Sequence, residues 1–537
     1  MIRRNHRKVP IAPLLIAQVV IGMACVAQVP QSPVSVPSQF IAKMYTEALG
    51  RAPDQVGWRH YVEHFREKGC NVVQLKEIGS QFYRSEEFAA DYDDNQAKVL
   101  TLFRGALNRD PDQAGLDHYV SLLSAGMSWE SVVNAVFESA EFGGNVAAMC
   151  DPGAPNYHFG NQPPPVLMSR GPGFSGSQSE LQSSLNGAAF GSTVDLAQKA
   201  VIALTSTLIV PSGITLKTHG SPETTSYALM ARLTRAATFD GPNVVIQGGG
   251  RLSNVWIDGQ RHVLGYHKVA GGDGDNANIA TLGGRSTQVL SNKLSDPQGG
   301  TNFFSDGGGP ASPCSDQVVR RNLVTAYSSI HGFEFNSDGL TMECEGLTLE
   351  NNDIVDVSDI GIVLFNAPGV RQHSRVAGNT IVSAGISTNA AISSDPSTGN
   401  PGGSSLDYRG TIFRDNVLWT GPHTAFDFGI EAGAREFFLS PANNSDGFGA
   451  AYVNNTTGIL SAQVRAGIAV AGMLEVIIAN DEHHPLDFIP VPFPPLAPAA
   501  NCPAGQVIVD ASQGHASGRY PTPTFDGDLD GCVLPTK

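Results

Sequence analysis

Eight carboxylates crowd into one short stretch of this chain: Glu334, Asp338, Glu343, Glu345, Glu350, Asp353, Asp356 and Asp359. Paired carboxyls can cleave a glycosidic bond. One stays protonated and delivers its proton to the leaving oxygen; the other is ionised and attacks the sugar or activates water. Crowding sets the two states apart, because like charges push one pKa upward. Strand alternation sorts the acids by face. In His331-Gly-Phe-Glu334-Phe335 the phenylalanines point inward and Glu334 outward. In Asp338-Gly-Leu-Thr-Met-Glu343 the inward residues are Leu340 and Met342, so Thr341 and Glu343 share the outer face. Superposing Asn322 on Asn352 sets Ser329 beside Asp359 and Glu334 beside Leu364. The candidate catalytic residues are Asp338 and Glu343 first, then Asp359, Glu334 and Asp356. His331, His267, Arg371 and Arg375 are the candidate substrate contacts. The competing reading is a solvated strand face balanced by Arg320 and Arg321. Lysines between 180 and 440 are only Lys199, Lys217, Lys268 and Lys293, which favours hydrolysis or transglycosylation over elimination.

A second chemical signal lies in the tail. Asp526-Gly-Asp528-Leu-Asp530-Gly531 matches the first half of an EF-hand loop, but Lys537 stands where the bidentate Glu belongs. Calcium held by these three aspartates and other oxygens is one reading; a polar turn pinned by Cys532 is the other. No further cofactor is called for.

The elements that must position these residues announce themselves through asparagine. Asn254, Asn292, Asn322, Asn352, Asn379 and Asn416 each precede an apolar pair, about 27 to 38 residues apart. Short alternating runs such as Gly361-Ile-Val-Leu-Phe365 lie between them. Stacked units of short strands and tight turns make a β-solenoid. Asn tolerates left-handed backbone angles, and its amide can bond the same amide one coil above. Ser179-Glu-Leu181-Gln-Ser-Ser-Leu185 predicts a short helix that covers the first coil. Stretches 271–284 and 395–406 predict loops that leave the stack. From Gln463 to Ile477 the apolar spacing predicts a helix, followed by a Pro-rich stretch and a turn-rich tail.

Upstream stands a duplication. Leu49-Gly-Arg51-Ala-Pro53-Asp54-Gln55-Val-Gly57-Trp58 matches Leu107-Asn-Arg109-Asp-Pro111-Asp112-Gln113-Ala-Gly115-Leu116, each copy flanked by helical patterns. Asp54 and Asp112 follow Pro in the turn, where they can cap the next helix. His60 and His118 hold equivalent positions, but one His per repeat lacks co-ligands, so packing or capping is the better reading.

These repeats, over about residues 38 to 145, resemble a bacterial secreted domain of unknown function distantly related to phycobilisome linker domains. That resemblance implies interaction or assembly, with no catalytic role. The middle of the chain, about 180 to 440, resembles the pectate-lyase-like superfamily of right-handed parallel β-helices through its Asn turns, strand rhythm and starting helix. The resemblance implies an enzyme acting on polysaccharide, or an adhesin or tailspike. The polygalacturonase motif set, the pectate-lyase calcium constellation and the Tyr-Gly-x-Asp-Pro-His run of alginate epimerases are all missing, so no subfamily follows.

A chain of 537 residues with a net charge of −16 predicts two or more domains and no nucleic-acid partner, since no basic stripe exists to neutralise phosphate. Arg3, Arg4, Arg7 and Lys8 followed by an apolar run from Ile11 to Ala27 have the shape of a secretory signal peptide. Cleavage after Ala27, lipidation at Cys25 and an uncleaved anchor stay open. The six later cysteines predict the pairs Cys70–Cys150, Cys314–Cys344 and Cys502–Cys532, each stabilising by about 2–4 kcal/mol in an oxidising compartment.

The expected organisation is a signal peptide at 1–27, an all-α repeat domain at 38–150, a linker at 151–178, an all-β right-handed parallel β-helix at 179–440 and a C-terminal capping region at 441–537. The expected function is a secreted, monomeric polysaccharide-active enzyme, a glycoside hydrolase or transglycosidase ahead of a lyase. The alternative is a non-catalytic adhesion or glycan-binding protein whose helical repeats dock a cell-surface or matrix partner.

Overall fold

Among the described residues strands pair with those a coil later, the third strand on through most of the stack, and every pairing of strands is parallel. The computed structural model describes residues 36–151, 165–168, 170–267, 276–306, 314–326, 337–366, 370–395, 406–433, 447–460, 462, 464–470, 473–474 and 476–479. The strands sort into three sheets of 11, 8 and 9 members. Each coil gives one strand to the first, second and third sheet in turn, so the fold is a right-handed parallel β-helix. The first coil comprises Thr193–Leu196, Val201–Leu204 and Leu208–Val210. In the ninth coil an isolated bridge from Val417 to Thr456 continues the second sheet.

Alternation sends one residue in two into the core. Val194, Leu216, Leu252, Val289, Val319, Leu349, Val376, Phe413 and Tyr452 form one such inward column on the first sheet. Phe413 and Tyr452 stack with centroids 4.8 Å apart. Helix Gln178–Gly187 closes the first coil, capped by a Ser177–Glu180 box, with Leu181 and Leu185 in the core.

The asparagine ladder runs through Asn292, Asn322, Asn352, Asn379, Asn416 and Asn455. Each Nδ2 donates to the next Oδ1 at 2.8–3.1 Å. The same oxygens accept the backbone N–H one coil below, from Asn292, Asn322, Asn352, Asn379 and Asn416. The left-handed residue is the one before the ladder Asn: Ser291, Arg321, Asn351, Gly378, Asp415 and Asn454 all have φ between 54° and 64°. Asn254 occupies that left-handed place, with φ 55°, and Val255 fills the ladder position, giving its N–H to Asn292 Oδ1. A second, shorter ladder joins Asn243, Asn278 and Asn302 at the turn into the third sheet.

The helices of 38–149 lie on the outer face of the second sheet. Helices Gln55–Lys68 and Gln113–Ser124 are capped by Asp54 and Asp112, which accept the N–H of Gly57 and Gly115. Arg51 chelates Glu87 at 2.6 and 3.0 Å, and Arg109 chelates Glu141 at 2.5 and 2.7 Å, the same clamp in both copies. His60 and His118 are exposed and lie edge-on to Tyr61 and Tyr119. Trp256, Val355, Val382 and Trp419 point out of the second sheet into the helical core. Trp58 packs on Trp419 at 4.9 Å. Burying side chains of this size contributes about 1.5–3 kcal/mol each.

Charges fill the rest of that interface. Glu47 receives Arg104, Lys293 and the Tyr227 hydroxyl; Asp110 receives Arg104 and Arg232; Asp258 receives Arg232. Trp256 lies under the guanidiniums of Arg104 and Arg232 at 4.7 and 4.0 Å. Opposite charges and hydrogen bonds on each member offset the cost of removing it from water.

Cys70–Cys150 and Cys314–Cys344 are disulfides, with Cα atoms 5.6 and 5.0 Å apart. Cys502, Cys532, the calcium-like aspartates Asp526, Asp528 and Asp530, and the N-terminal segment lie outside the described residues. The helix expected from Gln463 to Ile477 is instead strand: Val464–Val470, Met473–Leu474 and Ile477–Ala479 add to the third and first sheets. Pairing with an existing sheet edge outweighed the local helical spacing.

Candidate functional site

Of the expected catalytic acids, Asp338, Glu343 and Asp359 lie on or beside strands of the third sheet, and its register decides which of them meet. Leu340 pairs with Ile362 and Met342 with Leu364. The superposition that put Glu334 beside Leu364 is therefore wrong, because the fifth coil holds a longer connection between its second and third sheets than the sixth. Glu334 and His331 fall in that connection, outside the described residues.

Asp338 opens strand Asp338–Met342 and is engaged there. Its Oδ1 accepts the N–H of Ile360 at 3.0 Å and its Oδ2 accepts the Thr341 hydroxyl at 2.8 Å. Asp359 stands at the same corner one coil on, half-buried, its N–H given to Ser337 O. Arg261 Nη1 reaches Ser337 Oγ, and neighbouring His262 pairs with Asp296. That Arg and His were missed by the sequence reading.

Asp356 belongs elsewhere. It is fully buried, and its Oδ1 accepts the N–H groups of Ala384 and Gly385 at 2.7 and 2.9 Å. Its position at the end of a second-sheet strand puts it under the helices, near Lys43. Burial pushes its pKa up to about 6 against those hydrogen bonds. Asp353 likewise receives Ala52 N–H at 2.8 Å. Glu350 faces out of the first sheet; burial raises its pKa, but Arg375 and Arg320 prevail and hold it below the usual range. Arg375 is thus engaged on another sheet from Glu343. Arg371 gives Nε to Arg409 O at 3.2 Å, and His267 Nε2 contacts Asp240 at 2.8 Å, two coils below Asp338.

Glu343 follows Met342, half-buried and level with Phe365 on the next coil. Phe365 pairs with Asp395. Thr341, Val363, Ser393 and Glu431 pair in order across four coils. Ile430 and Ala432 lie in the core cluster, so Glu431 faces outward; Ser394 bonds Tyr452 inside the coil, so Asp395 faces outward too. Asp395 and Glu431 are nevertheless 4% and 3% exposed. Strand spacing places their Cα atoms roughly 8 Å apart, and Glu343 roughly 10 Å from Asp395. The buried Tyr408 hydroxyl donates to Asp395 O at 2.8 Å, and burial, then Asp395, hold its pKa well above the usual value. Glu431 escaped the sequence reading because it sits outside the densest acidic run, and Asp395 because 395–406 predicts a loop, whereas Asp395 ends strand Thr388–Asp395 and pairs with Phe365. Among the described residues no group of three His, Cys, Asp or Glu is placed to hold a metal ion.

A family model for a domain of unknown function, DUF4214, matches residues 79–146. No curated protein matches the chain in sequence. Solved structures it resembles include bacteriophage phi29 gene product 12, at 12% identity over 55% of this chain and 49% of that one, TM-score 0.32. A family 28 exopolygalacturonase of Yersinia enterocolitica shares 11% identity over 56% of this chain and 61% of that one, TM-score 0.35. An alginate lyase of Paenibacillus shares 15% over 54% and 92%, TM-score 0.30. The chain thus spans about half of the phage protein and three fifths of the exopolygalacturonase. No helix among the described residues is long and apolar enough to cross a membrane.

Proposed function

We propose that this protein is an exported, polysaccharide-active β-helix enzyme whose site is the outer face of the third sheet, and that it acts by hydrolysis. The observation that supports the reading is the outward placement of Asp395 and Glu431 on adjoining coils, with Glu343 on the same face. With Cα atoms roughly 8 Å apart on one face, the two side chains can bring their carboxyls within the about 5 to 9.5 Å that glycoside hydrolysis uses. One carboxyl of the pair protonates the leaving oxygen and the other serves the sugar carbon, directly or through water. Glu343 faces the neighbouring sugar position. Asp338 keeps the corner of the site in shape through Ile360 and Thr341. Asp359, a catalytic candidate from the sequence, serves in this reading as a substrate contact at that corner.

The test is a panel of neutral and anionic polysaccharides, read for new reducing ends and for the absorbance of unsaturated uronates. Reducing ends without that absorbance support hydrolysis. Both signals together mean elimination. Binding without cleavage gives the protein to the glycan-binding class.

A further inference from the structure

Both copies of the Pro-Asp-Gln turn present the same side chain to a stretch of backbone. In the first copy Gln55 Nε2 donates to Thr457 O at 2.8 Å, and its Oε1 accepts the N–H of Ile459 at 2.8 Å. In the second copy Gln113 Nε2 donates to Leu167 O at 3.2 Å, and its Oε1 accepts Leu167 N–H at 2.9 Å. A carboxamide has one donor end and one acceptor end, so it pairs with main chain as a neighbouring strand does. In each case the residue whose N–H is captured exposes its own side chain, Ile459 51% and Leu167 60% exposed, while Thr457, captured through its carbonyl, is buried. Neighbours on the same stretch pack on the helical core instead, Leu460 in one copy and Val166 and Met168 in the other. Recognition therefore runs through the backbone.

The fit is tight in the first copy. Gly458 has φ +64°, and a Cβ there would lie 2.1 Å from Gln55 Oε1. Arg59 adds a bond to Ile459 O. In the second copy Asp117 accepts from Gln113 at 3.0 Å and steadies it. The residue before each Pro docks on the second sheet: Ala52 N–H meets Asp353, and the Asp110 carboxylate meets Arg232. Those strands belong to the sixth and second coils.

We propose that this turn is a backbone receptor, and that its two copies tie the approach to the first coil and the ninth coil to one helical strut. The occupants are segments of this same chain: 165–168, which leads into the first coil, and 457–459, in the ninth. Such ties steady the outlying coils of the described stack, where local opening costs least.

Amide hydrogen exchange on the full chain tests this. Gln55→Ala removes one bond to Ile459, so its amide should exchange about tenfold faster while that of Leu167 is unchanged. Gln113→Ala should reverse the pattern. Gly458→Ala, which displaces the Gln55 side chain, should match Gln55→Ala. A merely destabilised fold would instead raise exchange throughout the helices. If neither amide responds, or each substitution loosens both segments alike, the proposal is overturned.

Discussion

Lys293 Nζ donates to Glu47 Oε2 at 2.8 Å, joining residues 246 positions apart, and both side chains are buried. This bond links the first helical repeat to the fourth coil. Glu47 also holds Arg104 and Tyr227, so its loss would leave buried Lys293 and half-buried Arg104 short of a partner. Glu47→Ala should cost about 3–5 kcal/mol, whereas exposed Glu130→Ala, paired with Arg84, should cost under about 1 kcal/mol. Urea unfolding of the two variants checks this; equal small losses would contradict it.

The same interface gives a pH dependence. Burial pushes Lys293 down to about 7 and Lys43 to about 8, in each case against the pull of Glu47. An unfolded lysine keeps its proton to about 10. Between these values the unfolded state binds more protons, so stability rises with pH from about 7 upward. Asp356 acts in a lower window. Its folded pKa of about 6 lies above the unfolded value near 3.9, so the folded state binds more protons and stability falls as pH rises from about 4 to 6. Lys293→Met should flatten the upper slope and Asp356→Asn the lower one. Melts across pH 4 to 9 in which neither slope changes would refute both assignments.

The ladder and the residue before it respond in opposite directions. Asn322→Ala removes the bonds to Asn352 and Val289 and strands the N–H of Asn292, all buried. Each such loss costs about 1–3 kcal/mol, so unfolding free energy should fall by several. Arg321 has φ 55°, where glycine is at ease. Arg321→Gly should leave stability unchanged or raise it by up to about 1 kcal/mol. A loss on Arg321→Gly as large as on Asn322→Ala would mean the two positions are misassigned.

The sequence pattern displayed the stack because asparagine at a fixed place in each coil has one strong use, the amide ladder. It concealed which residue takes the left-handed angle, since Ser291, Arg321 and Asp415 have no common chemistry. Asn455 was missed because the apolar pair after the earlier asparagines is replaced by Thr456 and Thr457. Docking of the helices left a trace in Val255-Trp256-Ile257, apolar on both faces, as strands covered on both sides are. Asp395 and Glu431 were open to the alternation argument in Thr388–Asp395 and Phe426–Ala432, which places Ile392 and Ile430 inside. Register across coils was not, because connections between sheets differ in length from one coil to the next.

The most direct test of the central claim is the rate of polysaccharide cleavage by single carboxylate variants, measured on the polymer that the panel identifies. Asp395→Asn and Glu431→Gln should each lower kcat by about a hundredfold or more, and Glu343→Gln should raise KM or lower kcat less severely. Asp356→Asn, under the helices, should leave both unchanged. Full activity in Asp395→Asn and Glu431→Gln would place the chemistry somewhere other than the outer face of the third sheet.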